Sequence, residues 1–484
     1  VNDTRALLNR IAHFRKRLEE MPRLIPAPLE AIEVEAEPEP EVADVGSRSQ
    51  AILEYSLRQL DGAKETTTLA LTERTRGLLA DAHGLVTRLK AMADDTLLAG
   101  PPSREGISSV ADPLVVHFRE TSALTEAVVR YATTFPDSAG EQMRLCEGLE
   151  AMIDAARRRY DLLAGAMERK RIEVLRVDGL CRFLVALTQG DGPLDPSPLI
   201  ELADALLAEE RGRPLRLVHA GPDERQAYLG GPSFPAPTRF VAAHALNCGS
   251  IAARVARHDG DWRSHDRELV LAALIHDVGM LGVSPECLGR IEAIDQCLME
   301  GHGRAGADWI VKRLPSLSWA AEVAATHHER ANGSGYPHRL INDQMSSLTR
   351  LVAAIDVYAA MCCPRPHRAP HDPRAAMTDV LLMAERGMLD RHACEKLLCL
   401  GLYPAGTVVE LGDGSTAVVL APCDRSAKLH SPKPTVAVLA DPIGKAFPNP
   451  RFLDLAEGNA GNVIRALGPL DRWQRIGRSY PEWA

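Results

Sequence analysis

Apolar residues recur at helical spacing along most of this chain and change to short apolar runs around a turn only after about Leu400. The first pattern marks helix faces and the second strands. Leu7, Leu8, Ile11, Phe14 and Leu18 open the chain on one helical face, with Arg10, Arg15, Lys16 and Arg17 around them. This predicts an amphipathic helix within residues 1–29, suited to coiled-coil packing or to docking on a membrane surface or partner. Residues 30–46, EAIEVEAEPEPEVADVG, carry seven acids and no base, which predicts a flexible linker without a packed core. From 47 to 190 the pattern predicts several long helices, as a bundle or a dimerising coiled coil. A Gly/Pro-rich connector follows over 191–237, with one helix in LIELADALLAEE. Helical period resumes over 238–400. GTVVELGDGSTAVVL then predicts two strands around an Asp-Gly hairpin turn, and PTVAVLADP a third. These make a small SH3-like β domain over 401–445, with 446–484 as a C-terminal tail. The fold class is mainly α.

At 484 residues the chain has room for about three domains. The net charge of −9 argues against duplex nucleic acid as a partner, although a local pair of arginines suffices for a small phosphate ligand. No apolar stretch is long enough to predict a membrane span, and VNDTRALLNRIAHFRKRLEE lacks the apolar core of a secretion signal. Ten cysteines are scattered without a CxxC pair, the pattern of buried thiols. Together these features point to a cytoplasmic protein.

Twelve of the 16 histidines fall between His219 and His392, and histidine is the commonest metal-binding side chain. His244 shares a helix face with Phe240, Cys248 and Ile251. His276 and Asp277 close the apolar helix RELVLAALIHDVGM, with Gly279 just after. His302 lies in GHGRAGADWIV, and His327 and His328 open the run HHERANGSGYP. Asp356 sits in RLVAAIDVYAAM, where an unpaired acid would be expensive to bury. Any one of these histidines alone is more often a core residue than a ligand. Gly333 and Gly335 give the NGSGY turn backbone freedom, for a purely conformational role or to present N–H groups to a phosphate.

Taken in order, these residues resemble the HD-GYP subgroup of the HD-domain phosphohydrolases. His276 and Asp277 stand as the HD pair, Gly335, Tyr336 and Pro337 as the GYP. His302 with Gly306, Asp356 with Ala360, and RPHR at 365–368 extend the match. The resemblance implies an all-helical catalytic domain that hydrolyses cyclic di-GMP or a related nucleotide through a metal-bridging hydroxide. It implies two divalent ions, typically iron, with manganese plausible. His244, His276, Asp277 and Asp356 would surround the first. Asp277 would bridge to a second held by His302, His327 and His328. Arg365 and Arg368 would clamp the ligand's phosphates, with Gly335 and Tyr336 beside the substrate.

The chain departs from the family at Met280, where the HD-x-G-K pattern has lysine. Methionine cannot donate a proton or carry charge, so the transition state would lose about 2–4 kcal/mol of stabilisation. Phe240 replaces the glutamate that accompanies a third metal, Asn332 replaces an aspartate, and His367 a tyrosine. The ligand set supports a phosphodiesterase. Met280 supports the alternative, a degenerate module that binds metal or nucleotide and signals without turnover. A homodimer through the N-terminal helices suits either.

Overall fold

The computed structural model describes residues 45–66, 73–94, 113–133, 139–209, 215, 217–218, 237–283, 296–363, 370–421, 434–455, 461–477 and 479–480. The helix expected within 1–29 and all but the end of the acidic linker lie outside these residues, as do Arg365, His367 and Arg368. The chain divides into two compact units. One comprises Val1–Arg171 with Lys445–Pro450 and Pro469–Ala484, the other Ile172–Gly444 with Arg451–Gly468.

In the first unit, α1 (Val45–Thr66), α2 (Glu73–Ala93), α3 (Pro113–Ala132) and the start of α4 (Ala139–Thr188) supply the helices. The helical period buries Leu53, Leu60, Leu79, Leu85, Leu89, Val128, Leu149 and Ile153 in one apolar cluster. Burying each such side chain contributes about 1.5–3 kcal/mol. Arg74 reaches Glu150 at 2.6 Å, and Arg88 lies 5.1 Å over the ring of Tyr160.

The second unit holds α5 (Ser197–Glu209), α6 (Pro237–His258), α7 (Asp266–Ile275), α8 (Gln296–Arg313), α9 (Ala320–Thr326), α10 (Ser347–Cys362), α11 (Pro373–Glu385) and α12 (Arg391–Lys396). Helix starts follow local chemistry. Ser346, Asp372 and Asp390 accept hydrogen bonds from the backbone N–H groups of Thr349, Arg374 and Ala393, and Pro373 takes the first turn of α11. Helix α6 packs on α5, α7 and α10. Ile251, Ala252 and Val255 of α6 join Leu271, Leu274, Val323, Val352, Ile355 and Tyr358 in a single core.

The C-terminal sheet has the order β4-β3-β2-β1-β5, from β1 (Val408–Leu411), β2 (Thr416–Ala421), β3 (Thr435–Ala440), β4 (Ala446–Asp454) and β5 (Val463–Ala466). The Asp-Gly hairpin pairs Val409 with Ala417, and Asp413 accepts from the backbone N–H of Ser415 at 2.9 Å. One boundary differs from the sequence-based expectation. β4, β5 and α13 (Pro469–Ile476) fall in the segment expected as a tail. Pro448 and Pro450 hide β4 from a strand pattern, yet β4 is an edge strand, where proline is tolerated. Strands β1, β2, β3 and β5 fall in one compact unit with the helical domain, and the backbone N–H of Ala466 donates to Asp372 at 2.5 Å.

Candidate metal centre

Four chain segments deliver the candidate ligands to one place in the second unit. Helix α6 carries His244, and α10 carries Asp356. The α7 helix stops at Ile275, so His276 is its C-cap and Asp277 begins the 3-10 turn Val278–Gly282. Asp277, at φ −106° and ψ 14°, leaves the helical path there. His302 comes from α8, and His327 and His328 follow the last turn of α9.

Close backbone approach explains two of the glycines. A Cβ on Gly279 would lie 1.7 Å from the carbonyl oxygen of His302, and the Cβ position of Gly306 is 3.0 Å from the backbone N of Gly279. The glycine after the HD pair and the glycine after His302 therefore let α8 approach the 3-10 turn closely enough to bring His302 to Asp277.

The donor atoms form two groups, each within 4.8 Å: His244, Cys248, His276 and Asp356 in one, Asp277, His302, His327 and His328 in the other. His244 Nε2 lies 2.8 Å from Asp356 Oδ1, and His276 Nε2 3.8 Å from the same oxygen. Asp277 Oδ1 lies 3.3 Å from His302 Nε2 and 3.9 Å from His327 Nε2. The His276 and His327 rings, 4.9 Å apart, join the two groups. Asp277 gathers with the three imidazoles and Cys248 with the first group.

Backbone carbonyls set the histidine tautomers. His276 Nδ1 is 2.8 Å from the Ala273 carbonyl, and His327 Nδ1 is 2.9 Å from that of Ala324. A carbonyl can only accept, so both Nδ1 atoms carry the proton and both Nε2 lone pairs face the centre. His276 Nε2 and Asp277 Oδ1 are buried without a hydrogen-bond partner. Such atoms cost free energy unless a ligand meets them. Donors around an ion at about 2.1 Å stand roughly 3–3.5 Å apart, close to the spacings here. The residues present therefore fit divalent metal ions.

Burial and neighbouring charges shift the titration of the donors in different directions. Burial opposes ionisation of Asp356, but the imidazoles of His244 and His276 outweigh it and hold its carboxyl well below the usual range. Burial likewise opposes protonation of His276, yet the carboxylates of Asp356 and Asp277 raise its pKa. Burial, reinforced by His328 and His276, pushes His327 well down. Burial brings His328 to about 4, so both imidazoles stay neutral and able to donate a lone pair at neutral pH.

The GYP turn closes beside this group. Tyr336 stacks on His328 with centroids 4.8 Å apart, and Gly335 passes so close to Glu329 that a Cβ would lie 2.5 Å from its Cα. Glu329 is fully buried, and its carboxylate accepts from the backbone N–H groups of His338 at 2.6 Å and Leu340 at 2.9 Å. Gly333 takes a left-handed φ of 77°. The sequence pattern gave Glu329 no role, since both its partners are main-chain groups. It also gave none to Cys248, whose one signal is its place one turn after His244. Met280 is buried in the apolar core of this unit.

Residues 234–393 match the family of HD domains. A cyclic di-GMP phosphodiesterase of Pseudomonas aeruginosa is 31% identical over 214 residues, 43% of this chain and 50% of that protein. A 3'3'-cGAMP-specific phosphodiesterase of Vibrio cholerae is 32% identical over 143 residues, 28% of this chain and 30% of that protein. A cyclic di-GMP phosphodiesterase response regulator of Xanthomonas campestris is 30% identical over 155 residues, 31% of this chain and 40% of that protein. This chain thus spans half or less of the length of these relatives. With His276-Asp277 and HHERANGSGYP placed around a single centre, residues 234–393 belong to the HD-GYP subgroup of the HD domains.

Proposed function

We propose that this chain is a metal-dependent phosphodiesterase that hydrolyses cyclic di-GMP or a related cyclic dinucleotide. The observation that carries this reading is the convergence of two donor groups on the orphaned His276 Nε2 and Asp277 Oδ1. Two divalent ions, iron or manganese, would be held there by His244, His276, Asp277, His302, His327, His328 and Asp356. Bound ions supply Lewis acidity and an activated water nucleophile for attack on phosphorus. The chain's own part is positional. Ala273 and Ala324 fix the tautomers of His276 and His327, Asp356 braces His244, and Tyr336 packs over His328. Arg365 and Arg368 would grip the phosphate oxygens with planar guanidinium forks. The reading places the protein in the cytoplasm as a homodimer through its N-terminal helices, without a duplex nucleic-acid partner.

Met280 favours a second reading, a module that binds metal or nucleotide without turnover, because an apolar residue stands where the family pattern has lysine. Turnover of cyclic di-GMP by the metal-loaded protein separates the two, run beside Asp277→Ala and Met280→Lys. The enzyme reading expects measurable turnover in the parent and none in Asp277→Ala. It expects a gain on the order of a hundredfold in Met280→Lys. A silent parent that gains activity only with lysine establishes the second reading.

A further inference from the structure

We propose that Cys248 is a metal donor, making the α6 side of the centre a two-histidine, one-cysteine, one-carboxylate site for a thiophilic divalent ion such as zinc or iron(II). This rests on the metal-binding reading of the centre and adds a ligand to it.

Cys248 follows His244 by four residues on α6, so both side chains project from one face of the helix. Its Sγ lies 3.7 Å from His244 Nε2, and it falls within the 4.8 Å group that also holds His276 and Asp356. The side chain is fully buried. A buried cysteine is ordinarily a small apolar filler. Here the thiol faces donors instead, and His276, itself 1% exposed, points an unpartnered Nε2 into the same space. Two imidazoles, a sulfur and a carboxylate make up a four-donor shell of the kind zinc takes.

The two halves of the centre then differ in chemistry. The half built from Asp277, His302, His327 and His328 offers only nitrogen and oxygen, which suit iron or manganese. The half with Cys248 adds a soft thiolate, which selects against manganese and magnesium. On binding, the S–H bond breaks, the proton passes to the buffer and the sulfur electron pair forms the bond to the ion. Nothing is oxidised or reduced.

The test loads the full chain with cobalt(II) and records the thiolate-to-cobalt charge-transfer band in the near ultraviolet. The band is expected in the parent and in a Cys181→Ser control, and is expected to vanish in Cys248→Ser. One of two cobalt equivalents should bind about ten- to hundredfold more weakly in Cys248→Ser, by analogy with lost metal-site contacts. X-ray absorption of the unmutated protein gives a second measurement that does not depend on a variant folding. It should show a sulfur scatterer at about 2.3 Å. Two bound cobalt ions with only nitrogen and oxygen scatterers would overturn the role of Cys248 and leave the metal centre standing. A band that survives in Cys248→Ser would also overturn it. Failure to bind cobalt at all would overturn both.

Discussion

In the first unit, the buried hydroxyls of Thr121 and Thr125 donate to the carbonyls of His117 and Thr121, one turn back on the same helix. In the second, His244 reaches Asp356 across 112 residues of sequence, and the buried His276 Nε2 and Asp277 Oδ1 lack a hydrogen-bond partner. Both units bury polar groups among leucine and alanine, but the first satisfies these two hydroxyls by forming a helix. Ser56 and Ser122 there also lack a hydrogen-bond partner. Among the described residues, though, the groups of His, Cys, Asp and Glu that could hold an ion all lie in the second unit. A buried polar atom is thus informative when others converge on it from separate elements. Folding gains little from that convergence, since burying several ionisable groups together costs more than a well-packed apolar core.

Three substitutions grade this contrast. Asp356→Ala should have the largest effect, because it removes the carboxylate whose Oδ1 lies 2.8 Å from His244 Nε2 and 3.8 Å from His276 Nε2. Metal affinity of the purified protein, followed by elemental analysis during dialysis against a chelator, should fall at least about a hundredfold. Unchanged metal retention would break the comparison, since Asp356 would then be only a buried acid. Glu329→Ala should come next. It strips the acceptor from two backbone N–H groups, and each stranded group costs about 1–3 kcal/mol. Urea denaturation should show a loss of about 3 kcal/mol, with Glu329→Gln recovering part of it by keeping one acceptor oxygen. A loss no larger than for an exposed glutamate would mean that the GYP turn holds itself. Thr125→Val should have the smallest effect. The carbonyl it leaves is already inside a helix, so stability should stay within about 0.5 kcal/mol. A drop of several kcal/mol would show that the first unit, too, relies on its buried polar groups.

The hydrophobic period foretold the helices that carry the site, and the Asp-Gly hairpin foretold β1 and β2. The positions of His244, His276, Asp277, His302, His327, His328 and Asp356 were legible as a set because metal chemistry restricts residue types. Their grouping was not. Which oxygen of Asp277 faces which imidazole depends on where α7 stops and on how closely Gly279 lets α8 approach. The strands β4 and β5 escaped the pattern because edge strands carry weak alternation and β4 holds two prolines.

The sequence by itself determined the helical class, the HD-GYP pattern and the residue types available to hold ions, since periodicity and side-chain chemistry are local properties. Only the tertiary structure decided that Cys248 stands among the donors, that Ala273 and Ala324 fix two histidine tautomers, and that Glu329 ties the GYP turn. Each depends on distances between groups remote in sequence, or on backbone atoms that every residue shares, and neither leaves a mark in the order of the letters.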